Sequence, residues 1–102
     1  MEKREIQQGD CILVKVSSIP KSAKKVKFDG VVLRGEGTNT HEVVASEVEV
    51  YEQDGTMFLK VDKKTNLVHQ EHGTQVINPG IYKRVIEREF DYESEEARNT
   101  QD

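Results

Sequence analysis

At 102 residues the chain has the length of one domain, and its formal net charge of −4 argues against nucleic acid or an anionic membrane held through overall electrostatics. Apolar residues make up 34% and charged residues 33% of it. A domain of this size buries only about 60–70% of its unfolded surface, so the core is thin and partner surfaces stand to contribute to stability. No run approaches the ~18 apolar residues of a membrane span. The charged start, MEKREIQQGD, has no apolar stretch behind it of the kind a secretory signal carries. A single cysteine, Cys11, cannot close an internal disulfide, and the expectation is a cytoplasmic protein in a reducing compartment.

Gly9-Asp10 delivers the chain into Cys11–Val16, where Ile12, Val14 and Val16 alternate with Cys11, Leu13 and Lys15. That pattern predicts a strand buried on at least one side, with Cys11 a small hydrophobe rather than a nucleophile. Residues 17–23 form a connection containing Pro20, which cannot donate to a ladder. Lys21, Lys24, Lys25 and Lys27 are the basic cluster. With 24–28 extended, they read as a solvated edge strand whose lysines discourage edge-to-edge pairing. A contact for phosphate or an acidic partner is the alternative, but no aromatic residues interleave as a single-strand nucleic-acid platform would need.

Asp29-Gly30 carries a hairpin signal and introduces Val31–Arg34. The loop 35–40 has two glycines without the spacing or context of a nucleotide-binding fingerprint. Residues 41–45 are extended, with a bend at Ser46-Glu47. Segment 48–61, VEVYEQDGTMFLKV, gives the clearest prediction. Asp54-Gly55 suits a type I′ turn. Folding about it opposes Val50 to Leu59, Tyr51 to Phe58, Glu49 to Lys60 and Val48 to Val61. Such cross-strand pairs are worth roughly 0.2–1 kcal/mol each and fix the register. Residues 62–66 are a turn cluster, 67–70 a short strand, Gly73-Thr74 a break, and Gln75–Ile77 extended again. Asn78-Pro79-Gly80 turns into a long charged β segment over 81–92. The predicted fold is all-β, a small barrel or sandwich of about seven to eight mostly antiparallel strands, with a domain over 1–92 and a flexible acidic tail over 93–102.

Two constellations could carry chemistry. The first is His41, His69 and His72, with Glu71 as a fourth ligand or a base. In a regular strand His69 and His72 would face opposite ways. They converge only if Gly73 or a bulge turns the strand end while His41 arrives from the other loop. Such a set could hold Zn or another divalent transition-metal ion. The bland reading packs His69 beside Leu67 and leaves His72 a loop residue with one hydrogen bond.

The second constellation lies on the last segment, where alternation places Tyr82, Arg84, Ile86, Arg88, Phe90 and Tyr92 on one face. Arginines among aromatics stack and fork to carboxylates or phosphates, and both types are enriched at interfaces. Tyr82, Arg84, Arg88, Phe90 and Tyr92 are therefore candidate ligand or interface residues. Charge pairing with a neighbouring strand is the alternative. No nucleophile–base pair can be assembled, and Glu42, Glu71, Glu87 and Glu89 lack the spacing of a catalytic carboxylate pair.

Gln8-Gly9-Asp10, Gly35-Glu36 leading to His41, His69-Gln70-Glu71-His72, Pro79-Gly80-x-Tyr82 and Arg88-Glu89-Phe90-Asp91-Tyr92 occur together. In this the chain resembles a group of small, largely uncharacterised all-β proteins of bacteria and their phages. The resemblance implies a compact β module with a polar site near the histidine loops. Those proteins carry a Gly-His-x-His string in the first loop. Here Thr38-Asn39-Thr40-His41-Glu42 offers one histidine, which removes a ligand from any site carried over.

The first functional expectation is a non-enzymatic module acting through binding or homo-oligomeric assembly, as a phage-related structural component or a protein that sequesters a small ligand. No cofactor is expected under it. The second is a metal-binding, cupin-like protein using His41, His69 and His72. The third is a pocket for a small anionic ligand built by Arg84, Arg88 and Tyr82.

Overall fold

The computed structural model describes residues 5–34 and 39–86. Within them the chain is all-β and antiparallel, with a single 3-10 turn at Ala45–Glu47. The main sheet has six strands: β1 (Glu5–Gln8), β2 (Cys11–Val16), β3 (Lys24–Val26), β6 (Val48–Gln53), β7 (Thr56–Val61) and β10 (Gly80–Ile86), in the order β1-β2-β10-β7-β6-β3. Two smaller ladders complete the fold, β4 (Val31–Arg34) with β5 (Thr40–Glu42), and β8 (Thr65–Leu67) with β9 (Gln75–Ile77). Glu42 and Val68 tie them together through reciprocal backbone hydrogen bonds of 3.0 and 2.9 Å.

The central hairpin has the register expected of it, with Val48 opposite Val61, Val50 opposite Leu59 and Tyr51 opposite Phe58. Asp54 at φ 50 and Gly55 at φ 80 supply the two positive angles of a type I′ turn. Alternation then sends Val48, Val50, Leu59 and Val61 to one face, where they join Cys11, Leu13 and Tyr82 from the adjoining strands. Val32, Leu33 and Val43, with Leu67 and Ile77 from β8 and β9, close over that face. Val32 and Leu33 are consecutive yet both buried, because the β4–β5 register shifts between Val31 and Leu33. The Cys11 thiol is fully buried, and desolvation pushes its pKa up to about 12, so it stays protonated as the small hydrophobe expected.

Three local expectations change. Gly9-Asp10 is a hairpin turn between β1 and β2, flanked by the Gln8–Cys11 pair, rather than a lead-in to the first strand. Asp29-Gly30 does not join paired strands, since β3 pairs with β6 and β4 with β5. It is a crossover between ladders, with the Asp29 carboxylate accepting the Val31 N–H at 3.0 Å and the Gly30 carbonyl accepting the Val43 N–H at 2.9 Å. The 62–66 turn is shorter than its composition suggests. Thr65 belongs to β8, buried, with its hydroxyl donating to Glu47 Oε1 at 2.7 Å.

The short β3, with Lys24 and Lys25 exposed, is an edge strand as read from its lysines. β10 lies between β2 and β7 and is described as far as Ile86. The remainder of the 81–92 segment, the 93–102 tail and positions 35–38 of the glycine loop lie outside the described residues.

Candidate functional site: an imidazole cluster against the first turn

Three segments distant in sequence meet at one end of the sheet: the Gln8-Gly9-Asp10 turn, His41 on β5, and the loop between β8 and β9 that carries His69 and His72. The ring centroids of His41 and His69 are 4.3 Å apart, those of His69 and His72 4.6 Å, and those of His41 and His72 6.3 Å with the last two rings nearly parallel. All three histidines therefore share one cluster. Glu71 contributes differently, for its backbone N–H donates to His69 Nδ1 at 3.0 Å, as does that of His72 at 3.2 Å. With Nδ1 engaged as an acceptor, His69 carries its proton, or any ligand, at Nε2.

The carboxylate in contact with the cluster is Asp10's. His41 is almost completely buried, its Nδ1 2.8 Å from Gln8 Oε1 and its Nε2 3.2 Å from Asp10 Oδ1. Gln8, also buried, donates both amide hydrogens to main-chain carbonyls, Leu67 at 2.8 Å and Gly73 at 2.9 Å. Its oxygen is thereby left facing His41, so His41 Nδ1–H is the donor, and the remaining ring nitrogen, Nε2, faces the Asp10 carboxylate, to which it donates when the ring is protonated. Burial is the main cause of the lowered His41 pKa. Asp10 works against it through a hydrogen bond and its charge, while His69 and His72 add to the lowering.

Gly9 holds the geometry from below. At φ 58 it suits the first position of a tight hairpin turn, and a Cβ there would fall 2.6 Å from His72 Nε2. The His72 ring thus rests on a backbone that only glycine leaves open. Beside His69 a shallow cleft of about 240 Å³ is lined by Thr40, Glu42, Val68, His69 and Gln70. Its rim is tied by the Thr40 N–H donating to Gln70 Oε1 at 2.9 Å and by Thr40 Oγ1 donating to Glu42 Oε2.

The chain matches the model of a domain of unknown function, DUF8820, over residues 7–87. It belongs to that family. The matched DUF8820 span takes in every residue of the cluster, from Gln8 to His72. No curated protein and no solved structure matches the chain.

The second predicted constellation is placed otherwise. Tyr82 lies in the core, 2% exposed, its hydroxyl donating to the Asn78 carbonyl at 2.7 Å. Arg84 points from the same side of β10 and donates from Nη1 to the Val32 carbonyl at 3.0 Å, while its Nε is buried with no partner among the described residues. These two residues knit layers together within the DUF8820 fold. Arg88, Phe90 and Tyr92 lie outside the described residues. Among the described residues no three His, Cys, Asp or Glu groups already stand around a common point as a metal ion requires. What is in place is a pair, His41 and Asp10, with two further imidazoles within reach.

Proposed function

We propose that this DUF8820 protein is a binding module whose ligand is a divalent transition-metal ion held first by His41 Nε2 and Asp10 Oδ1. The observation that carries the reading is the 3.2 Å separation of those two atoms while the other His41 nitrogen is committed to Gln8. In the neutral ring both atoms are acceptors, and two acceptors at contact need a cation between them. With metal–ligand bonds of about 2.0–2.2 Å, neighbouring donors on a tetrahedral ion lie about 3.3–3.6 Å apart, so the pair needs to open only slightly. Rotation of the His69 or His72 ring supplies the third donor. Imidazoles with one carboxylate favour Zn²⁺, Ni²⁺ or Cu²⁺ over Ca²⁺ and Mg²⁺, which take oxygen cages.

The competing occupant of the gap is a proton, which would make the contact a simple His41–Asp10 ion pair. Thermal melting at neutral pH separates the two. Zn²⁺ or Ni²⁺ in ~100-fold excess over its Kd should stabilise the protein by about 2.7 kcal/mol, and Mg²⁺ should not. Asp10→Asn should weaken metal affinity about tenfold or more, lowering that stabilisation by about 1.3 kcal/mol or more at the same metal concentration. Absence of a shift with either metal, together with no bound metal on elemental analysis, would reject the reading.

Homo-oligomeric assembly remains a second reading, favoured by three exposed aliphatic residues, Val44, Val68 and Val76 at 55%, 44% and 47% exposure. Val68 and Val76 share the solvent face of the β8–β9 hairpin, because Val76 opposes Asn66 two residues before Val68. Sedimentation velocity over a wide concentration range should show a dimer or larger species that Val68→Glu abolishes. A constant monomer would dispose of it.

A further inference from the structure

The Gln8 side chain touches both His41 and the backbone on either side of the loop that carries His69 and His72. Its amide donates to Leu67 O and Gly73 O, the residues that bracket the loop bearing His69 and His72, and its oxygen accepts from His41 Nδ1. Both hydrogens and the oxygen are therefore in use inside a buried pocket. The direction of the amide is forced, since reversing it would set Oε1 against two carbonyl oxygens and Nε2 against the protonated ring nitrogen.

We infer that Gln8 is a positioning residue that does two things at once: it fixes His41 as the Nδ1–H tautomer, leaving Nε2 for a ligand, and it clasps the neck of the 68–72 loop, so that the imidazoles of that loop are held beside the His41 ring. This deepens the metal reading and rests on it for its consequence in affinity, but its structural content can be measured in metal-free protein. A ligating histidine commonly has its second nitrogen held by an outer partner that sets ring orientation, and loss of that partner commonly costs 10–100-fold in metal affinity. Here the outer partner also holds the backbone of the neighbouring ligands, so orientation of the ring and closure of the loop are one event.

Two substitutions separate the two tasks. Gln8→Glu keeps the size and an acceptor facing His41 Nδ1–H, but puts one carboxylate oxygen in place of Nε2 against Leu67 O and Gly73 O, which repel it. Gln8→Met keeps much of the volume and removes every polar contact. His41 can then move its proton to Nε2 and donate to Asp10, which consumes the lone pair a metal would need.

The experiment has three readouts. In metal-free wild type, nitrogen-15 spectra of the ring should place the His41 proton on Nδ1. Gln8→Glu should retain that tautomer, and Gln8→Met should shift it to Nε2–H. Amide hydrogen exchange over residues 68–73 should quicken by about tenfold or more in both variants, reporting the open neck. Ni²⁺ titration should show Gln8→Met binding about 10–100-fold more weakly than wild type.

A wild-type His41 protonated at Nε2 would overturn the inference even if neither variant folded. So would unchanged exchange over 68–73 in both variants. If the tautomer and exchange results hold while wild type takes up neither Ni²⁺ nor Zn²⁺, the metal reading fails and the role of Gln8 stands. If metal binds wild type and Gln8→Met equally well, with the tautomer unmoved, the metal reading stands and the inference fails.

Discussion

Gly30→Ala should lower the unfolding free energy by about 2–5 kcal/mol, a large share of the 5–15 kcal/mol typical of a domain. Gly30 sits at φ 98, beyond the left-handed region that L residues occasionally enter, and a Cβ built on it would lie 2.8 Å from the Val43 carbonyl oxygen. That obstacle is backbone, so no rotamer change relieves it. The same glycine's carbonyl accepts the Val43 N–H at 2.9 Å, so backing away from the clash breaks the hydrogen bond. The junction is where the chain passes from the main sheet to the β4–β5 ladder, and Val43 belongs to the core. Gly73→Ala is the control, because a Cβ on Gly73 would meet no atom within 4 Å and the residue has no positive φ, and it should change stability by under about 1 kcal/mol. Urea midpoints read the difference directly. Equal midpoints for the two variants would mean that Gly30 and Val43 are not packed as described.

Legibility in the sequence follows the range of the interactions. The 48–61 hairpin can be read because its signals are local: the turn pair and the alternating apolar residues all sit within a few positions of one another, and the register they imply is the one formed. β1 has no such signal, because three of its four residues, Glu5, Gln7 and Gln8, are polar, leaving Ile6 with no pattern to join. Gln8 looks like a surface residue in sequence. It is buried because its partners are His41, Leu67 and Gly73, none of them within thirty positions.

The histidines show the same limit from the other side. Strand alternation separates His69 from His72, but both lie beyond β8, in a loop where alternation has no force, with Gly9 giving the His72 ring its seat. The condition under which they could meet, a turn near Gly73 and His41 arriving from another segment, is legible. The choice of Asp10 over Glu71 is not. A signal does exist in Gln8-Gly9-Asp10, which marks a short turn before a buried strand, but no local rule says that a turn's side chains will point inward.

Leu59→Ala should cost about 3–5 kcal/mol, while Phe58→Ala, one residue away, should cost about 2–3 kcal/mol despite removing the larger side chain. Leu59 is fully buried between Val50 on β6 and Tyr82 on β10, and both of these cross-strand neighbours belong to the core cluster. Truncation there leaves a void that the two flanking strands cannot fill, so a cavity term adds to the lost transfer free energy. Phe58, itself buried at 7% exposure but outside the core cluster, points to the reverse face, where its cross-strand neighbours Tyr51 and Lys83 are half-buried and exposed. Those longer side chains and water can partly fill the space, and the cavity term is smaller. A one-residue slip of β7 against its neighbours would exchange the two faces and invert the ranking. Chemical denaturation of the two variants therefore tests the register on which the core and the placement of Tyr82 depend. A larger loss for Phe58→Ala than for Leu59→Ala would put the core on the wrong side of the sheet.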